Sequence, residues 1–355
     1  MTEAGGEDLS YYQKWLQRDG IPILRDFYLE NIRTVPLVRW DRKGGLGVYL
    51  NLAGAAEADD SYICEIPPGS RLKPQKHLYE ELIFVISGRG ATTVWNEGGK
   101  PQTFEWQEGS LFSPPLNTWH QHFNGRGDQP ARYLAVTNAP LVLNLIQNED
   151  FVFGCGFVFH DRYRGDDGYF SGEGQRMGAR SWETNFVKDV REFGLIDWKE
   201  RGGGGKSIFF ELCENSMSSH ISQFPVGTYK KAHRHGPGAH VVILRGKGYT
   251  LMWEAGKPIQ RFDWQEGTLI VPPEGWFHQH FNTGKEPARY MAFHRPGSSR
   301  KYRMRKQWGI DLSLKEGGDQ IEYEDEDPAI RKLFEEELAK EGVASGMDKV
   351  LASGS

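Results

Sequence analysis

Cysteine is scarce in this chain: Cys64, Cys155 and Cys213 are far apart and odd in number. No disulfide framework or zinc pattern can be drawn from them, so they read as free thiols and predict a cytoplasmic protein. Long apolar runs are missing as well. None approaches the length of a membrane span, and the opening MTEAGGEDLSYYQ carries no basic-then-apolar leader. Nor is there an excess of positive charge. With 43 Lys and Arg against 48 Asp and Glu, the net charge of −5 gives no electrostatic reason to expect nucleic acid or an anionic membrane as a partner. What is abundant is glycine (43) and tryptophan (11), the composition of aromatic-rich strands joined by tight turns. A length of 355 residues exceeds one compact core and suits two domains with extensions.

Self-comparison finds those two domains. WNEGGKPQTFEWQEGSLFSPPLNTWHQHFN (95–124) matches WEAGKPIQRFDWQEGTLIVPPEGWFHQHFN (253–282), and a constant offset of 158 residues places Trp40 on Trp198, Gly69 on Gly227, Gly88 on Gly246 and His120 on His278. After Asn282 one residue is lost, and Pro-Ala-Arg-Tyr at 130–133 then meets the same tetrapeptide at 287–290. Chance does not hold such a register, so the chain is a tandem duplication. Within each copy, short apolar runs such as Leu82–Ile86 and Val241–Leu244 end in Ser-Gly-Arg-Gly or Arg-Gly-Lys-Gly turns, and further segments follow at roughly ten-residue spacing, as in a closed all-β unit. The expected division is an N-terminal helical extension (1–35), a first barrel (36–140), a connecting segment (141–193) that is a loop or a lid, a second barrel (194–298) and a C-terminal tail (299–355). Helix is expected only at the edges, at 8–18 and at 328–341, with Asp327 as cap and Pro328 in the first turn. The acidic run Glu322 to Asp327 reads as a solvated linker.

The chemistry-bearing residues recur in register. In the second copy Gly227 is followed after five residues by His233-Arg-His235; in an extended segment, positions i and i+2 share a face, so both imidazoles look into the barrel. Later comes Gly267, five residues, Pro273-x-Gly275-x-x-His278-x-x-x-Asn282. These spacings resemble the two signatures of the cupin superfamily, G-x5-H-x-H-x3-4-E-x6-G and G-x5-P-x-G-x2-H-x3-N. The resemblance implies an all-β fold of two cupin jelly-roll barrels (double-stranded β-helices) with short terminal helices, and one divalent metal inside the barrel on His233, His235 and His278.

Two departures follow. At the glutamate position the second copy has Ala239; its neighbour His240 reaches the slot only if a bulge shifts the strand by one. Three neutral imidazoles leave an octahedral ion with open positions and its full charge, which suits bidentate binding of an anionic substrate together with dioxygen. A His-Arg-His motif that lacks the glutamate resembles gentisate and salicylate dioxygenases, bicupins that cleave aromatic rings with iron(II), although here the fuller site lies in the C-terminal copy. The first copy has Gln75 in place of one histidine but keeps His77, Glu81 and His120, a two-histidine, one-carboxylate set for a second metal, with Asn117 replacing the signature glycine. His122 and His280, in the shared His-Gln-His-Phe-Asn, face inward beside the ligands as hydrogen-bond partners, substrate contacts or packed core histidines. His220 and Gln223 are copy-specific polar residues on an early strand and candidates for the pocket wall. Arg132 and Arg289, shared by the copies, read as structural ion pairs.

The leading expectation is an iron(II) dioxygenase of a small aromatic or chelating acid, with dioxygen as co-substrate, no nucleic acid or membrane partner, and a homo-oligomer compatible with the sequence. The alternatives are a manganese(II) bicupin of the oxalate decarboxylase type, against which Ala239 and Gln75 weigh, and a non-catalytic binding cupin.

Overall fold

The computed structural model describes residues 9–299 and 312–352. Residues 1–8, 300–311 and 353–355, parts of the expected extension and tail, lie outside the described residues. Each copy folds into a jelly-roll barrel of one large and one three-stranded sheet with identical connectivity. In the first, Gly45–Leu50, Asp60–Ile66, Ala131–Thr137, Glu81–Ser87 and Leu111–Phe112 lie side by side, facing Trp119–Asn124, Arg89–Trp95 and Gln102–Gln107. In the second, Lys206–Leu212, Ser218–Phe224, Ala288–His294, His240–Arg245 and Leu269–Ile270 face Phe277–Asn282, Lys247–Trp253 and Gln260–Gln265. The turn glycines are required sterically. Gly88 and Gly246 sit at φ +85° and +98°, and an added Cβ would come within 2.8 Å of the Ala131 Cα and 2.9 Å of the Ala288 Cα. Asn117 adopts the same left-handed conformation (φ +58°) as Gly275 (φ +73°), which explains how asparagine stands in for the signature glycine.

Strand alternation aims the ligands. Along Trp119–Asn124, partly exposed and buried residues alternate, with His120, His122 and Asn124 inside. The same pattern in Phe277–Asn282 is buried on both faces because the helix Pro328–Glu341 covers its outer side, packing Phe334 on Phe281 and Tyr229. That helix has the expected cap: Asp327 accepts from the Ala329 N–H, and Ile330, Phe334 and Leu338 are buried. The acidic run before it is not a solvated linker. Glu322 pairs with buried Lys231 at 2.6 Å, and Glu326 accepts from Tyr229 at 2.7 Å and from Gln279 at 2.6 Å, so the tail is strapped to the second barrel.

Helix is not confined to the edges either. Ala139–Ile146 and Glu149–Gly154 form between the copies and pack with the expected N-terminal helix Tyr11–Arg18, through Asn144 to the Tyr12 N–H (2.8 Å) and Trp15 stacked on Phe153. They are too short to show an apolar period, and burial of Leu143 and Val152 is what sustains them.

The barrels exchange arms. Tyr28–Leu29, ahead of the first barrel, pairs with Leu269–Ile270 of the second, while Phe186–Val187, ahead of the second, pairs with Leu111–Phe112 of the first. The next residues repeat the device: Ile32 N–H donates to the Gly267 carbonyl (2.8 Å) and Val190 N–H to that of Gly109 (2.9 Å). Both side chains enter one apolar core shared by the barrels with Phe84, Phe210, Val242 and Met291. Arg33 reaches Glu108 (3.0 Å) and Glu266 (2.9 Å), and Arg191 reaches Glu108 (2.8 Å). Such half-exposed pairs contribute at most ~1 kcal/mol each; a fully buried Ile or Val contributes about 1.5–3 kcal/mol, so the apolar contacts dominate. Ile32→Ala should therefore lower stability by about 2–4 kcal/mol, whereas Leu145→Ala, at a side chain 84% exposed, should change it by less than about 0.5 kcal/mol. Denaturant melts of the two variants against the parent would show it.

Candidate metal centres

Backbone pairing builds both centres. His233 and His278 form an antiparallel bridge, N–H to carbonyl in each direction at 3.1 and 2.8 Å; Gln75 and His120 form the same bridge at 2.9 and 2.8 Å. In the second barrel the imidazoles of His233, His235 and His278 converge, with ligand nitrogens within 4.8 Å of one another and ring centroids 4.1–5.7 Å apart. His235 Nδ1 lies 2.7 Å from the Gly236 carbonyl and His278 Nδ1 3.3 Å from that of Trp276. A carbonyl only accepts, so these nitrogens carry the proton and each Nε2 lone pair is left for the centre. His233 Nδ1 is buried without any hydrogen-bond partner. A polar atom buried so costs free energy unless something binds it, and three such imidazoles fit a divalent first-row metal.

The trio opens into a cavity of about 260 Å³ lined by His220, His280, His294, Arg180, Arg201, Glu211, Trp198, Phe209, Ala239, Val241 and Tyr290. His220 is thus in the wall as expected, hydrogen-bonded through Nδ1 to Nε2 of His294 at 2.7 Å. His280 sits behind the ligands with Nδ1 on Thr250 at 2.8 Å, as His122 sits on Thr92 at 2.7 Å.

Two expectations fail. No bulge brings His240 inward: Ala239 and Val241 face the cavity, so His240 points the opposite way, fully buried at the junction of the barrels with Nδ1 3.8 Å from Asp59. Gln223 faces outward too, beside Arg289 (3.5 Å), because His220 and Ser222 hold the inward positions of that strand. Arg289 and Arg132 are structural as expected, though largely through carbonyls: Arg132 binds Glu65 (2.8 Å) and the Arg33 carbonyl (2.6 Å), and Arg289 the Phe193 carbonyl.

The first barrel keeps its set together. His77 Nε2 and His120 Nε2 each lie 3.7 Å from Glu81 Oε2, and all three atoms are buried and unpartnered. Gln75 does not join them; its oxygen accepts from the buried Lys43 ammonium at 2.8 Å. Lys43 also donates to Tyr62 (2.7 Å), which in turn bonds Glu81. Burial alone would raise the Glu81 carboxyl, but Lys43, His77 and His120 hold it well below the usual range. This site balances its charge internally. At the position of His220 stands Tyr62, and Tyr133 packs against it.

Lys43, Arg201 and His294 escaped the sequence reading. The 158-residue offset pairs Lys43 with Arg201, and the alternation Tyr290, Ala292, His294 puts the last in the wall; both signals were present in the sequence.

The family model described as "Cupin domain" matches residues 62–137. Among solved structures, an oxalate decarboxylase described for its substrate binding mode and reaction specificity switch is 15% identical, with 77% of this chain and 78% of that chain covered at TM-score 0.51. A tryptophan-to-tyrosine variant of the Bacillus subtilis oxalate decarboxylase is 14% identical, with the same coverage and a TM-score of 0.51. At these identities the likeness is one of fold: two cupin-like jelly-roll domains. No curated protein sequence matches. No helix among the described residues is long and apolar enough to cross a membrane.

Two outcomes are expected. His235→Ala should lose most of the metal bound by the second barrel, read by elemental analysis against the parent; full retention would exclude the trio. The second concerns pH. Burial holds His122, His240, His280 and His294 down to about 3 and His235 to about 4, and keeps His120, His220, His233 and His278 well below the ordinary imidazole range. Burial raises Asp59 and lifts Asp60 to about 7, the opposite sense, but two carboxyls are outnumbered by nine imidazoles. As pH falls below the ordinary imidazole value, the unfolded chain takes up protons and the native chain does not. The metal-free protein should therefore be stable at pH 7 and lose stability between about 6.5 and 4, with a melting midpoint lower by on the order of 5–10 °C at pH 5.

Proposed function

We propose that the chain is a metal-dependent enzyme whose chemistry takes place in the C-terminal barrel, on a small anionic chelating acid. The observation that carries this is a complete histidine trio at the end of a cavity lined by two arginines. A divalent ion held by His233, His235 and His278 supplies Lewis acidity and, as iron(II), one-electron chemistry with dioxygen. The rest is done by the chain. Arg180 and Arg201, which share the wall with Glu211, place guanidinium donors where a substrate carboxylate can meet them. Ala239 leaves open the space that a ligating glutamate would fill, so the histidine trio carries no carboxylate of its own to compete with the substrate, and the cavity's carboxylate, Glu211, stands in the wall. Trp198, Phe209, Val241 and Ala292 form the apolar wall that excludes water and accepts a ring. At about 260 Å³ the cavity suits a one-ring or smaller acid. These features support an iron(II) dioxygenase of a small aromatic or similar chelating acid, with dioxygen as second substrate, and with no nucleic-acid or membrane partner; assembly as a homo-oligomer is compatible with this reading.

A second reading is a manganese(II) decarboxylase of the oxalate type. It is supported by the fold shared with oxalate decarboxylases and by the carboxylate retained in the His77, Glu81 and His120 set. Metal analysis of protein purified without chelator, followed by oxygen uptake on hydroxybenzoates and carbon dioxide release from oxalate, separates the two. The expected result is iron with oxygen uptake. In a matched pair of variants, His278→Ala should abolish turnover and His120→Ala should keep it; the reverse would move the chemistry to the first barrel.

A further inference from the structure

Behind the cavity lies a lysine that the first copy does not have. Lys230 is 2% exposed and occupies the position of Leu72; beside it Ser222 replaces Cys64, while Tyr290 and Tyr133 correspond. The Lys230 ammonium touches Ser222 Oγ and lies 3.0 Å from Tyr290 Oη, within 4.9–5.8 Å of the rings of Tyr290, Phe224 and Trp198. Among the described residues it forms no ion pair. Burying an ammonium against hydroxyls and ring faces alone is costly, which makes the group a candidate for a functional role.

The donor inventory shows what it does. An ammonium has hydrogens and no lone pair, so both Ser222 and Tyr290 accept from Lys230. Ser222 passes its own hydrogen to the Lys206 carbonyl at 3.2 Å. The phenol hydrogen of Tyr290 is shared between Ser222, whose oxygen keeps a second lone pair, and a group in the cavity, which its ring lines. The ring stands 5.2 Å from that of His280 and 5.8 Å from that of His220, one layer from the metal trio. In the first barrel Tyr133, without a lysine behind it, is buried with no partner for its hydroxyl.

We propose that Tyr290, backed by Lys230, is a substrate-binding residue: its phenol donates a hydrogen bond to an oxygen of the bound acid beyond the pair facing the histidine trio. The inference rests on the reading of the cavity as an acid-binding site, and narrows the substrate to acids with a third oxygen function, such as dicarboxylates or dihydroxybenzoates. Burial pushes the phenol up, but the charge and hydrogen bond of Lys230, with Ser222 and Arg201, together outweigh it and draw the group below its ordinary value, which makes it a stronger donor.

The test uses the full chain loaded with cobalt(II), titrated with oxalate and with 2,5-dihydroxybenzoate while the visible spectrum of the metal is followed. Tyr290→Phe and Lys230→Leu (leucine being the residue of the first copy) should keep their cobalt and weaken acid binding about tenfold or more, the loss of one charge-assisted hydrogen bond. The double variant should be no weaker than Tyr290→Phe, because both substitutions remove the same interaction. If the lysine variant fails to fold, Tyr290→Phe alone decides. An unchanged Kd in Tyr290→Phe overturns this inference and leaves the metal site standing. A parent that loads cobalt but binds neither acid overturns both. If the parent takes up no cobalt, the metal reading falls, and calorimetry of the same titrations on the metal-free cavity decides the role of Tyr290.

Discussion

Two reciprocal backbone hydrogen bonds, between His233 and His278, are what the second centre depends on. They join points of the chain 45 residues apart and set two imidazoles side by side before any side chain chooses a rotamer. The first barrel makes the same pair between Gln75 and His120. The scaffold thus delivers the position, and the residue placed there decides the chemistry. This is why a duplicated backbone can carry two unlike sites without losing its register.

The unlikeness is electrostatic. The first barrel encloses one carboxylate, Glu81, and one ammonium, Lys43, joined through Tyr62 and Gln75. The second keeps a cation at the Lys43 position, Arg201, adds Lys230, and takes the carboxylate away from the histidines: Ala239 stands at the position of Glu81, and the buried Glu211 lines the cavity wall instead. Low dielectric strengthens each of these interactions, so moving a carboxylate from the histidines to the wall changes what the centre presents far more than the same change would in water. Neutral histidines fit the same logic: burial keeps them deprotonated, so their nitrogens remain free to bind a metal rather than a proton.

Much of this was legible in the sequence, and for an identifiable reason. Spacing between glycine, proline and histidine survives because each reports a local requirement: a positive φ at Gly246, a face at His278. The duplication then doubled every signal. What escaped was set by packing between distant segments. The sequence has no marker for the arms at Tyr28–Leu29 and Phe186–Val187, since two-residue strands show no period. The strap Glu322 to Asp327 has a solvated composition, and only Lys231, Gln279 and Tyr229 turn it inward. His240 lay one position from a ligand slot; which face it takes is fixed by strand pairing with Phe293 and not by its own chemistry.

The arms also bear on how far the two barrels are independent. Their contacts extend to the ligand loops. Gly238, directly before Ala239, donates to the Gly54 carbonyl of the first barrel at 3.1 Å, and a Cβ on Gly54 would lie 2.1 Å from the Val271 carbonyl. In the other direction, Glu80, directly before Glu81, accepts from the Ser216 and Met217 N–H groups of the second barrel at 2.7 and 2.9 Å. Residues 54 and 59 correspond by the same offset to 212 and 217, so each barrel uses the same loop to brace the other's metal-site segment. A brace of this kind acts on geometry to which a metal centre is sensitive, since a ligand set works only when held within about 0.5 Å of its productive placement. Each barrel therefore shapes the other's site through contacts of the shared fold, which gives a physical reason for both copies to keep one fold while only their interiors diverge.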